Sequence, residues 1–384
     1  MCMLNAYSLF TIFTTTTTTL LSLHVYPSTC VSFTSFVFGD SLVDAGNNDY
    51  IFTLSKADSP PYGIDFAPSA GKPTGRFTNG RTIPDIIGQN LGAKSFPPPY
   101  LAPTNTTTTT TDDLILGGGL NYASGASGIL EETGSLFIGR VPLREQINYF
   151  ERSRSYMVRL MGENGTKEFL KGAMFSVTIG SNDVLNYLQP PIPFLSREDK
   201  DKVSPTLLQH FLVSNLTLHL KQLHKLGARK FVVAGVGPLG CIPFVRALSL
   251  LPEGRCSFRA NKLIQGYNKR LREALHRLNQ EMGPEAIFVY ANSYDIVMAI
   301  IRNYPHYGFE NAYDPCCGGS FPPFICFRGS NAEISSFLCA DRSKYVFWDA
   351  YHPTEAVNII IAETLLDGDG SMSTPVNIRE LQTL

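Results

Sequence analysis

The chain has 384 residues, 43% of them hydrophobic and 17% charged, with a formal net charge of -1. That balance supplies apolar material for a large core and offers no basic stripe for a nucleic-acid partner to neutralise. No linker or internal repeat divides the chain, so residues 31–384 are expected to form one domain.

The first segment stands apart. Apart from Ser22 and His24, residues 9–25 are apolar or Thr, with no Lys, Arg, Asp or Glu, and Pro27, Ser28 and Thr29 follow. Residues 1–8 lack Lys and Arg, but the run otherwise has the form of a secretory signal, so residues 1–30 are expected to be removed and the protein exported. No later segment offers the ~20 consecutive apolar residues of a spanning helix. There are eight cysteines. Cleavage beyond Cys30 leaves Cys241, Cys256, Cys316, Cys317, Cys326 and Cys339, an even set suited to an oxidising compartment; cleavage before it leaves an odd one. Three disulfides are expected among the six, with Cys241 and Cys256 as a local pair. Cys316 and Cys317 are adjacent, which is not zinc-ligand spacing, so no metal and no other cofactor is expected. Asn105, Asn164 and Asn215 are glycosylation acceptors by pattern; Asn164 sits in a turn-like stretch and Asn215 inside a helical one.

Apolar runs at 35–39, 120–124, 173–179, 230–236 and 286–290 are short, end near Gly, Ser or Asn, and predict buried strands. Residues 59–103 are rich in Pro and Gly and predict ordered loop with a short helix near Ile83. Residues 106–111 are all Thr, a surface insertion. Pro205 after Ser204 opens a helix with Leu208, Leu212, Leu216, Leu220 and Leu223 on one face. His219 and His224 on it are five apart, wrong for a metal pair, and are taken as surface residues. A second helix carries Leu263, Tyr267, Leu271, Leu275, Leu278 and Met282, and a last one follows Pro353 and Thr354. Strands alternating with helices predict a three-layer α/β/α sandwich around a parallel sheet.

Four short blocks carry the chemistry. An apolar strand ends in Gly39-Asp40-Ser41-Leu42, and a Ser just past a strand's carboxyl end lies where α/β folds build sites. Its hydroxyl needs a base, and the base needs an acid to hold its tautomer. Asp349 and His352, three apart before Pro353, can supply both from one loop. Gly125, with no side chain, and Asn182, with an amide, can direct N–H groups at a developing oxyanion. Asp44, Asn47 and Asn48, just beyond Ser41, are taken as structural hydrogen-bonders.

In order and context these blocks resemble those of the GDSL or SGNH hydrolases, and in particular the secreted plant branch. Segments 73–81, 235–241 and 314–318 are similar to stretches of that branch, so the resemblance covers nearly the whole mature chain. It implies a flavodoxin-like SGNH fold and a secreted esterase or lipase acting on a lipid or acylated glycan, in the cell wall or apoplast of a plant. Ser41 would be nucleophile and oxyanion donor, Gly125 and Asn182 further donors, His352 the base and Asp349 its acid. The α/β-hydrolase fold shares the order Ser, Asp, His but requires Gly-x-Ser-x-Gly, which does not occur here. Transacylation to an alcohol, and non-catalytic glycan or lipid binding on the same fold, are the alternatives. The partner expected is a small or polymer-linked ester; oligomeric state is left open.

Overall fold

The computed structural model describes residues 33–103, 117–188, 203–252, 254–319, 326 and 338–384. The signal-like segment, Asn105 and the Thr tract lie outside these residues.

The sheet is built from β1 (Ser35–Gly39), β2 (Met174–Thr178), β3 (Lys230–Ala234) and β4 (Ile287–Ala291), side by side in that order and all parallel. Their sequences are near-continuous Phe and Val because both faces are covered. Register aligns Phe36, Phe175, Phe231 and Phe288 in one row across the four strands. Successive ring centroids are 5.2, 5.9 and 4.3 Å apart, and all four side chains are buried. The run 120–124 lies along the free edge of β1, where Val37 N donates to Leu120 O and Tyr122 N to Val37 O. It is a bridged extended segment rather than a regular strand. At the opposite edge β7 (Ser373–Thr374) runs antiparallel to β4, so the sheet is mixed there rather than wholly parallel.

Helix boundaries follow local chemistry. Thr82 and Asp85 form a capping box on α1 (Ile83–Asn90). Ser204 caps α4 (Pro205–Lys225), whose five predicted leucines are buried. Ser257 caps α6 (Phe258–Met282), and Thr354 caps α8 (Glu355–Asp367). Apolar spacing did not anticipate α2 (Leu143–Gly172), which is rich in charge and broken at Gly162, where φ is 74° and ψ 169°. Asn164 is exposed just past that break. Shorter helices are α3 (Ser181–Leu188), α5 (Pro243–Leu248), α7 (Ser293–Arg302) and α9 (Ile378–Thr383). One layer packs α2, α4 and α6 together; the other packs α1, α7, α8 and α9. His219 and His224 are half-buried, not surface residues: α4 turns them toward its packed flanks, and burial lowers the pKa of each. No helix among the described residues is long and apolar enough to cross a membrane.

A second, two-stranded sheet pairs β5 (Asn311–Pro315) with β6 (Tyr345–Phe347). Disulfides join Cys316 to Cys339 and Cys317 to Cys326 beside it, and Cys241 to Cys256 before α6. All six cysteines expected to pair do so.

Candidate active site

The site grows from the carboxyl end of β1. Gly39 has φ 156°, and a Cβ there would lie 2.2 Å from Thr178 O, so only glycine lets the chain turn this close to β2. Gln146 of α2 grips the same residue, accepting from Gly39 N at 2.9 Å and donating to Gly39 O at 2.8 Å. The turn continues through Asp40, whose carbonyl accepts from Val43 and Asp44 N, and it presents Ser41 half-exposed. Asp40 itself is buried. One oxygen accepts from Leu42 N; the other meets no donor among the described residues. Burial pushes its carboxyl up to about 7.

The partners come from the chain after β6. Trp348 N donates to His352 O at 2.8 Å, closing residues 348–352 into a tight loop. His352 Nε2 stands 2.7 Å from Ser41 Oγ, and His352 Nδ1 stands 2.8 Å from both oxygens of Asp349. Asp349 also accepts from Tyr351 N, His352 N and the Tyr62 hydroxyl, each at 2.8 Å. Burial would raise its pKa, but the His352 ring, the Tyr351 amide and the Tyr62 hydroxyl outweigh burial and hold the carboxyl below its ordinary 3.8. The structure therefore brings Ser41, His352 and Asp349 into one hydrogen-bonded line across 311 residues of sequence.

Segment 62–82 braces that loop. Besides Tyr62, Thr78 Oγ1 donates to Pro353 O, Asn79 Oδ1 accepts from Glu355 N, and the Phe77 ring lies 5.3 Å from the His352 ring. A buried Arg76–Asp85 pair ties the segment to α1. On the other side Cys316 N and Cys317 N donate to Phe347 O and Trp348 O, so two disulfides anchor the strand behind the loop.

The candidate oxyanion donors differ in availability. Among the described residues no acceptor takes the Ser41 amide. Asn182 Nδ2 gives one hydrogen to Ser127 O at 2.9 Å and keeps a second. Gly125 lies in close packing, where a Cβ would fall 2.7 Å from Phe77, but its N–H is held by Asp44 Oδ2 at 3.0 Å. Asp44, Asn47 and Asn48 do bind main chain: Asp44 takes Gly46 and Asn47 N, Asn47 donates to Asn121 O and Ala123 O, and Asn48 to Ser55 O and Gly125 O. Asp183 accepts from Ile129 N, Leu130 N and Thr133 Oγ1, fixing the loop after Gly125. Sequence reasoning missed Gln146 and Tyr62. Neither lies in a motif with a mechanism; only the resemblance of the neighbouring segment 73–81 hinted at that region. Among the described residues no cluster of His, Cys, Asp or Glu could hold a metal.

A serine hydroxyl on an imidazole that a buried carboxylate orients, at the carboxyl end of a parallel sheet, defines a serine hydrolase. Residues 36–365 match the family model of the GDSL-like lipase/acylhydrolases, and the chain belongs to that family of ester-cleaving serine hydrolases. It is 62% identical to GDSL esterase/lipase At5g41890 of Arabidopsis thaliana, over 93% of this chain and 95% of that one. Two further Arabidopsis thaliana GDSL esterase/lipases, At3g50400 and At2g23540, are 47% and 45% identical over 91% of this chain, covering 91% and 88% of their own lengths.

Proposed function

We propose that the protein hydrolyses a carboxylic ester through an acyl-enzyme on Ser41. The observation that carries this is the 2.7 Å approach of His352 Nε2 to Ser41 Oγ while Nδ1 faces Asp349. Ser41 Oγ attacks the ester carbonyl as its proton passes to His352 Nε2. The proton then goes to the departing alkoxide, and the alcohol leaves. Water repeats the sequence: His352 takes its proton, hydroxide adds to the acyl-enzyme, and Ser41 leaves reprotonated with release of the acid. Asp349 holds the imidazole's tautomer and stabilises the imidazolium. The Ser41 amide and the second hydrogen of Asn182 Nδ2 stabilise the oxyanion; Gly125 joins them by sharing the hydrogen it gives Asp44.

The same reading makes residues 31–384 one hydrolase domain of an exported protein. Three disulfides support an oxidising compartment. Of the glycosylation positions, exposed Asn164 is the best placed, whereas Asn215 spends its amide on Phe211 O within α4.

A fluorophosphonate probe tests the assignment. It should label Ser41 in the active protein, and Ser41→Ala should lower turnover by several orders of magnitude with the fold retained. Label on another residue of active protein refutes it.

A further inference from the structure

The hydrogen-bonded line from Ser41 through His352 to Asp349 continues one step further. Tyr62 Oη donates to Asp349 Oδ2 at 2.8 Å. The catalytic loop serves the two carboxylate oxygens unequally. Oδ1 accepts from the amides of Tyr351 and His352, while both oxygens stand 2.8 Å from His352 Nδ1. Tyr62 thus supplies Oδ2 with the donor that the loop's own backbone gives only to Oδ1. A carboxylate held to the main chain through one oxygen can turn about its Cβ–Cγ bond, whereas a donor on each oxygen fixes its plane. Asp349 is also buried, and a buried carboxylate stays ionised only where donors replace the water it has lost.

The hydroxyl is delivered by a braced loop. The Tyr62 ring stands edge-on to Phe77 and to Trp348, with centroids 6.2 and 6.1 Å away. Gly63 N and Asp65 N donate to Thr78 O and Asn79 O, and the side chains of Thr78 and Asn79 hold Pro353 O and Glu355 N. Arg342 donates to both oxygens of Asp65, at 2.6 and 2.7 Å. The Tyr62 loop is therefore tied to the chain on both sides of the catalytic loop, before β6 and after His352.

We infer that Tyr62 is a fourth member of the catalytic line, a positioning residue whose hydroxyl fixes the Asp349 carboxylate and thereby sets the basicity of His352. The inference rests on the ester-hydrolase reading above. With the hydroxyl present, part of the Asp349 charge is engaged by Tyr62. Without it, more of that charge faces His352 Nδ1 and favours the protonated ring.

The test compares the pH dependence of kcat/KM on one neutral p-nitrophenyl ester in wild type and in Tyr62→Phe, which keeps the ring and removes the hydroxyl. kcat should fall roughly tenfold with KM little changed, because a hydrogen bond to a charged group is lost. The ascending limb should move to higher pH. The other titratable groups that act on the pair are Tyr351 of the same loop and Asp40 of the Ser41 turn. Both are present in the two proteins, so the difference between the limbs reports the hydroxyl. Asp65→Asn loosens the same loop at Arg342 but leaves the hydroxyl, and should keep the wild-type limb. If Tyr62→Phe does not fold, 3-fluorotyrosine at position 62 is a stronger donor and should move the limb to lower pH. A limb that stays put or moves the other way in either protein, or that moves as far in Asp65→Asn, overturns the role of Tyr62; fluorophosphonate label on Ser41 of the wild type leaves the hydrolase reading standing. A wild type that takes no label and hydrolyses no ester overturns that reading, and the role of Tyr62 with it.

Discussion

Asn182 gives one amide hydrogen to Ser127 O and, in the proposed mechanism, the second to the oxyanion. The hydrogen given to Ser127 O fixes the plane of the side chain, and that plane decides where the second hydrogen points. A donor held in advance costs no reorganisation as the oxyanion forms. Asn182→Ala should therefore lower kcat by roughly 10²–10³ while KM and the thermal midpoint change little. Steady-state kinetics on one neutral ester checks this, and a normal kcat would remove Asn182 from the oxyanion role. Its neighbour Asp183 is different in kind, since all three of its bonds secure residues 129–133. Gln146 and Tyr62 belong at the same scale. Their contacts bridge 107 and 287 residues, to Gly39 and Asp349. No local pattern encodes a contact across such a distance, so nothing in the sequence singled them out.

Among the elements, the row of Phe36, Phe175, Phe231 and Phe288 links all four parallel strands through stacked and tilted rings. Helices then clamp strand ends through buried amides. Asn268 of α6 holds both the N–H and the C=O of Val236, and Asn279 does the same for Phe288. Phe175 is one of the row's two inner members, against rings of Phe36, Phe38, Phe150 and Phe231. Phe175→Ala should cost about 3–5 kcal/mol, because neighbours tied into strands cannot collapse into the space. Denaturant unfolding should show a lower midpoint with little change in slope. A cost below about 1 kcal/mol would mean that the row is not a rigid spine.

For the whole molecule, buried carboxylates set an unusual dependence of stability on pH. Burial raises Asp40 and Asp44 to about 7, against an ordinary 3.8. Between those values the folded state holds protons that the unfolded chain has released, so stability falls as pH rises through the window. Asp349 and Asp85 have the opposite sign: their folded values are depressed, and their contribution is lost only as pH falls below the ordinary carboxylate range. Half-buried His219 and His224, lowered from 6.5, resist protonation in the fold and oppose stability below that pH. The carboxylate effect is read free of the two histidines only above about pH 6.5 and fades as pH passes the folded value of about 7, so pH 6.5 to 8 covers its last part. The thermal midpoint should decline across that interval, and Asp40→Asn should flatten the decline. Differential scanning calorimetry in buffers of matched ionic strength would show it; a midpoint that rises from pH 6.5 to 8 contradicts the protonated state of these groups.

The sequence by itself determined what local chemistry determines. The four parallel strands were legible as apolar runs, and α4, α6 and α8 as leucine or isoleucine spacing, with Ser204 and Thr354 marking the starts of α4 and α8. Ser41, Asn182, Asp349 and His352 stood out because each sits in a short block whose residue types have a chemical reason. Tertiary structure decided the rest. The 2.7 Å contact of Ser41 with His352 depends on a 348–352 loop that Tyr62, Thr78 and Asn79 hold from far upstream. The availability of the proposed oxyanion donors was equally hidden. Whether Gly125 N–H is free or bound to Asp44 depends on how two loops 81 residues apart pack. Hydrogen bonds and apolar contacts between distant segments form as the chain closes on itself, and residue order alone does not specify which of them will meet.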